Sequence, residues 1–356
     1  MKQKLQSPAR ILLLVLLILT VGARAGQAQS ENAPADLVSF SFDSESAAQY
    51  LANNLFDYVE DSVFAPNNAW FPSVRFVGAG VGSNIEVDAL SYGHLADSSQ
   101  FDAFFSVAVG SQGRVATDVR IEAVDERASD LYASNFSGTN QQIFDGNGSS
   151  AAILGLLEPQ STNVDAVDMR APSSQGTIYW SVSRQSAENV APYAAAIVSG
   201  ADVFFSGAAA GYSLQDPPKL YATAGQLGLT GQDDLDALVV IEAKEDGFFD
   251  PQEDKIYYSL VSASISLTAA GIPPFANASA ADVFVVGGGS ASVSLAFDAA
   301  QLGLEDPDDV DALDLAVRAD ILAALASTAV PTGTLLAPTL ALLLGASARW
   351  WFRCRA

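Results

Sequence analysis

Asp246, Asp250, Glu253 and Asp254 lie within nine residues, in the stretch EDGFFDPQED, with Gly247 and Pro251 between them. Four hard oxygen donors in a turn of this kind can wrap a calcium ion. The spacing is not that of an EF-hand loop, which opens D-x-D-x-D-G, so the turn alone would have to build the site. Other chemistry-bearing residues are scarce. The chain has one histidine, His94 in SYGHLAD, and one cysteine, Cys354, near its end. A Ser-His-Asp triad would have to use His94, and no GxSxG elbow is present. Zinc sites that need several His and Cys ligands are excluded by count. GAGVGS, Gly78 to Ser83, has spaced glycines without the lysine of a phosphate loop and reads as a turn at a strand end.

Carboxylate pairs suited to glycoside hydrolysis are abundant, but they recur. Asp233, Asp234 and Asp236 correspond to Asp308, Asp309 and Asp311 in matching contexts, QLGLTGQDDLDAL and QLGLEDPDDVDAL. A catalytic pair occurs once, whereas a repeated acid suits a repeated turn or cap. The expectation is a non-enzymatic protein without a cofactor, with calcium at the 246–254 turn as the alternative.

These residues must be positioned by a repeating framework. VDAL at Val87 to Leu90, VDAV at Val164 to Val167, LDAL at Leu235 to Leu238 and VDAL at Val310 to Leu313 place aspartates 77, 71 and 75 residues apart. LGL triplets precede the last two and also stand at Leu154 to Leu156. FFSV, YWSV and YYSL follow the first three, and then SDLY with Asp130 and ADVF with Asp202 and Asp282. Ordered landmarks recurring together mark internal duplication. Within one unit, DALVVIE, KIYYSL, ADVFVV and SLAFDA read as four strands separated by turn chemistry. The alternation V-S-A-S-I-S-L over Val261 to Leu267 also has the period of a strand. Tyr50, Leu51, Leu55, Tyr58 and Val59 have helical spacing, which predicts an amphipathic helix over Ala47 to Val63.

The fold expected is therefore all-β, about four units of roughly 75 residues, arranged like a β-propeller. A tandem β-sandwich or a linear β array satisfies the same pattern. The last VDALDLAV, Val310 to Val317, would close the structure by pairing with the N-terminal unit. VDAL followed by an aromatic-rich strand resembles the four-bladed hemopexin-like propeller, in which an Asp-Ala pair opens each blade. The units here are longer, and the linking disulfide of that family has no cysteine to form it. The resemblance bears on architecture alone.

The two ends carry a different message. Lys2, Lys4 and Arg10 precede an apolar run, and Ala25 and Ala28 offer small-x-small cleavage points, as in a secretory signal peptide. Seven of the 17 basic residues lie in the two ends, leaving 10 against 41 acidic residues between them, a net charge of −31. Such a surface repels phosphate backbones, so no nucleic-acid partner is expected. At the far end, Val330, Pro331, Thr332 and Gly333 precede an apolar run from Thr334 to Ala348, then Trp350, Trp351 and the basic cluster Arg349, Arg353 and Arg355. Arginines after an apolar segment stay on the cytoplasmic side and stop translocation. This order resembles the PEP-CTERM type of sorting signal, in which an inner-membrane exosortase cleaves near a V-P-E-P motif. Val330 and Pro331 match that motif, while Thr332 and Gly333 replace Glu and Pro.

The resulting organisation is a signal peptide at 1–28, a diverged N-terminal unit at 29–86, and β repeats at 87–163, 164–234 and 235–309. A closing strand and linker follow at 310–329, then a sorting signal with a membrane span at 330–356. The resemblance implies signal peptidase and an exosortase-like enzyme as partners and transient inner-membrane insertion of the precursor. The body would then reach the cell surface or extracellular matrix, beside exopolysaccharide. A secreted carbohydrate-active hydrolase or a propeller lectin is the alternative function.

Overall fold

The computed structural model of the chain describes residues 38–41, 63–65, 73–76, 87–91, 103–134, 138–146, 154–157, 162–169, 177–190, 193, 198–207, 217–244, 246–268 and 274–315. The signal and sorting segments, His94, Gly78 to Ser83 and the helix expected before Val63 lie outside these residues. Among the described residues no helix is long and apolar enough to cross a membrane.

The described chain is mainly β, with little helix, and forms four antiparallel sheets of four strands each. One contains β1 (Val38–Ser41), β2 (Val63–Ala65), β3 (Ser73–Phe76) and β16 (Ala312–Leu315) in the order β16-β1-β2-β3. The next is β4 (Val87–Ser91), β5 (Ala103–Val107), β6 (Leu131–Ser134) and β7 (Gln141–Phe144) in chain order. It is followed by β8 (Ala166–Met169), β9 (Ile178–Ser181), β10 (Val203–Ser206) and β11 (Lys219–Ala222). The last is β12 (Leu235–Ile241), β13 (Lys255–Leu260), β14 (Val283–Gly287) and β15 (Ser294–Phe297). The four strands read in DALVVIE, KIYYSL, ADVFVV and SLAFDA are these last four. β16 lies antiparallel to β1, with Phe40 opposite Leu313, so the strand expected to close the structure does pair with the N-terminal unit.

The aromatic doublets explain how the sheets adhere. Successive side chains of a strand face opposite sides, so two adjacent aromatics serve two different interfaces. Phe104 packs into a cluster with Val167, Trp180 and Phe204 of the following sheet, while Phe105 packs with Val87, Tyr132 and Ala312. Trp180 faces Phe104, while Tyr179 packs with Leu238, Ile256 and Tyr258. Tyr258 belongs to that same cluster, and Tyr257 turns to Val38, Phe40 and Leu313. Each fully buried aromatic of this kind contributes about 1.5–3 kcal/mol. The leading strands also meet. β4 packs against β8 and β16, β12 packs against β8 and β16, and β4 touches β12.

The serine after two of these doublets, FF and YY, links neighbouring sheets. Ser106 Oγ donates to the Val164 carbonyl at 2.7 Å, and Ser259 Oγ donates to the Val310 carbonyl at 2.9 Å. In the first sheet Ser41 Oγ donates to the Val87 carbonyl at 2.8 Å. The acceptor is in each case the residue before the repeated Asp-Ala pair.

The LGL landmark is a tight reversal. Asp298 and Gln301 form a capping box around the helical turn Ala299–Leu302, which ends at Gly303 with φ 81°. Gly155 and Gly228 adopt the same left-handed conformation, φ 78° and 75°, which favours glycine, while the flanking leucines are buried.

Val261 to Leu267 differs from its strand-like pattern. It is a turn followed by the helical turn Ile265–Thr268. Ser264 and Ser266 are buried against the preceding repeat: Asp233 Oδ1 accepts the Ser266 N–H at 2.7 Å and Oδ2 accepts its hydroxyl at 2.8 Å. Ser264 Oγ in turn accepts the Asp234 N–H at 3.0 Å.

Candidate metal centre

The repeated aspartate opens each leading strand. Asp88 and Asp236 coincide with register shifts in the β4–β5 and β12–β13 ladders, where an irregular strand re-aims a side chain. Asp165 and Asp311 stand immediately before β8 and β16. All four are buried, and they come near one another because the leading strands do.

The densest group joins two repeats. Oxygen atoms of Asp236, Asp309 and Asp311 lie within 4.8 Å of one another. Asp309 shares a hydrogen bond with Asp236, which requires a proton on one of the two carboxyl groups. Burial first, then the charges of Asp309 and Asp311, hold Asp236 well above the usual carboxylate range, and Asp165 adds to the effect. Asp165 is raised in the same way, by burial and then by Asp88 and Asp234, against an opposing hydrogen bond from Asn163. Asp234 is pushed up to about 7 by burial, opposed by the backbone N–H and the charge of Arg184.

The acids around this group hold backbone. Asp309 Oδ2 accepts the Ser262 N–H at 3.2 Å, and Asp234 Oδ2 accepts the Arg184 N–H at 2.9 Å, an equivalent contact one repeat earlier. Asp233 and Asp308 close turns by accepting the N–H groups of Thr230 and Glu305, at 2.7 and 2.8 Å. Asp168 on β8 accepts the Ser91 hydroxyl of β4 at 3.0 Å and the Val240 N–H of β12 at 2.9 Å. One buried carboxylate thus bridges the leading strands of two other sheets.

The 246–254 turn is arranged differently. Asp254 is buried and accepts the N–H groups of Ala243 and Asp250 at 2.8 and 2.7 Å. Asp246 and Asp250 accept the N–H groups of Phe248 and Gln252, both at 3.0 Å. Lys244 pairs with Glu253 at 2.6 Å and with Asp250 at 3.7 Å. These four acids brace a turn, and among the described residues the one gathering of ligand atoms is Asp236, Asp309 and Asp311.

The correspondence of Asp236 with Asp311 is visible in the sequence as repetition, which points equally to a structural role. The signal that distinguishes the two is adjacency: equivalent residues of packed repeats converge when their strands lead neighbouring sheets. Asp168 recurs in one repeat only, as Asp314, while Ser91 and Val239 stand at that place in the other two, so its signal is weaker. Chemically, the centre offers carboxylates that can share a proton or hold a hard cation. No family model and no curated protein matches the chain.

Proposed function

We propose that the chain is an exported, surface-sorted, non-enzymatic β-repeat protein of the bacterial envelope or exopolysaccharide matrix, folded as a four-bladed β-propeller closed by β16. The observation that carries this reading is the position of β16 at the head of the first sheet, beside β1. Four sheets whose leading strands touch in the sequence β4, β8, β12, β16 and back to β4 suit radial closure. The last described strand ends at Leu315, upstream of the Val330 to Gly333 motif, so cleavage there leaves every described strand in place.

The absence of a catalytic task rests on how the acids are used. Asp130, Asp202, Asp233, Asp282 and Asp308 recur in equivalent positions and accept backbone N–H groups. Such acids shape turns in every repeat. Signal peptidase acting after Ala25 or Ala28 and an exosortase-like enzyme acting near Val330 to Gly333 are the processing partners.

The test is intact-mass analysis of the protein recovered from the cell surface of its native host. The expected product begins after Ala25 or Ala28 and lacks the segment containing Arg349, Arg353 and Arg355. A full-length chain retained in the inner membrane overturns the sorting reading. Release of soluble sugars from a polysaccharide panel, abolished by one carboxylate substitution, overturns the non-enzymatic reading.

A further inference from the structure

We propose that Asp236, Asp309 and Asp311 bind a calcium ion that ties β12 to the segment leading into β16. The inference goes beyond the sorting reading and stands without it. Asp236 begins one repeat, while Asp309 and Asp311 begin the closing strand, so a shared ion joins parts of the chain more than 70 residues apart. A cross-link of that span stabilises closure in a way that no local loop ion can.

Two observations point to a cation. The first is the donor set: three carboxylates within 4.8 Å, with no nitrogen or sulfur ligand, which suits a hard ion. The second is Asp236 itself, 6% exposed, with its Oδ2 making no hydrogen bond. A buried carboxylate oxygen without a donor is expensive to leave so. The largest charges acting on Asp236 come from Asp309, Asp311 and Asp165, all anionic. Calcium would replace the proton held between Asp236 and Asp309, and that proton would leave to solvent.

The competing acidic turn at 246–254 already has its carboxylates engaged with Lys244 and with backbone N–H groups. It therefore serves as the internal control.

The experiment uses the full chain, stripped with EDTA and titrated with calcium chloride by calorimetry, with thermal unfolding in parallel. The expected result is saturable binding of about one ion per chain and a rise in the melting midpoint of about 5 °C at a hundredfold excess over the dissociation constant. Asp236→Asn and Asp311→Asn each weaken binding about 100-fold or more, whereas Asp250→Asn leaves it unchanged. Absence of heat and of a melting shift in the wild type overturns the proposal and leaves a shared proton as the whole content of the centre. Binding retained in both Asp236→Asn and Asp311→Asn, or lost in Asp250→Asn, also overturns it. The wild-type titration decides the matter even where a variant fails to fold.

Discussion

Asp130, Asp202 and Asp282 stand at the same place before the third strand of three successive sheets, and each ties that strand to the fourth. Asp202 accepts the N–H groups of Ser199 and Ala224, at 2.8 and 2.7 Å, and Asp282 those of Ser279 and Ala299, both at 2.8 Å. Asp130 accepts the Gly146 N–H at 2.9 Å and the Gln142 amide at 2.8 Å. Burial pushes Asp130 up to about 7, opposed by the Gly146 N–H and assisted by the charge of Glu122. An unfolded aspartate titrates near 3.9, so between that pH and about 7 the folded chain holds a proton that the unfolded chain has lost. This contribution to stability is complete below the unfolded value and is lost as pH rises through about 7. Asp130→Asn keeps a neutral group throughout. Thermal midpoints at pH 4.5, 6 and 7.5 are therefore expected to fall for the wild type relative to Asp130→Asn as pH rises. Parallel curves for the two proteins would contradict the assignment.

Between elements, the decisive contacts are single hydroxyls at equivalent places. Ser106 Oγ supplies a buried hydrogen bond to the Val164 carbonyl of the next sheet, so Ser106→Ala is expected to cost about 1–3 kcal/mol. Ser181 occupies the same position after the YW doublet, yet its buried hydroxyl makes no hydrogen bond. Ser181→Ala is then expected to be neutral or mildly stabilising, since it removes an unsatisfied polar atom. Denaturant melts of the two variants check both signs, and equal losses would refute the linking role. The serines and aromatic doublets were legible in FFSV, YWSV and YYSL because they recur and because the period of a strand fixes their faces. VSFS, Val38 to Ser41, performs the same task without an aromatic doublet and shows no such mark. Val261 to Leu267 misleads for the opposite reason. Its alternation is that of a strand, but Asp233 and Asp234 of the previous repeat hold Ser266 and Ser264, and the segment forms a turn. That competition lies between distant residues, beyond the reach of local periodicity.

At the scale of the molecule, everything depends on how the first sheet is completed. Its leading strand comes from the far end of the folded unit, and Val310, Ala312, Leu313 and Leu315 are each at most 1% exposed. Burial of the valine and two leucines alone contributes about 5–9 kcal/mol, comparable with the 5–15 kcal/mol that separates a typical folded domain from its unfolded state. The repeated VDAL made this strand legible, since a fourth copy that no FFSV-type or ADVF-type landmark follows is left to pair with the N-terminal unit. The acidic centre was not legible as a site, because its three carboxylates meet only after β12 and β16 are brought side by side. Deleting residues 306–356 removes β16 together with Asp309 and Asp311, whereas deleting 330–356 removes neither. The shorter deletion is expected to melt cooperatively at the midpoint of the parent body. The longer one exposes β1 as an unpaired edge and strips the cluster of Val38, Phe40, Tyr257 and Phe297 of its cover. It is expected to lose the cooperative transition and to associate, as read by calorimetry and size-exclusion chromatography. Indistinguishable melting of the two deletions would show that the remaining three sheets stand alone, and closure by β16 would then be dispensable to the fold.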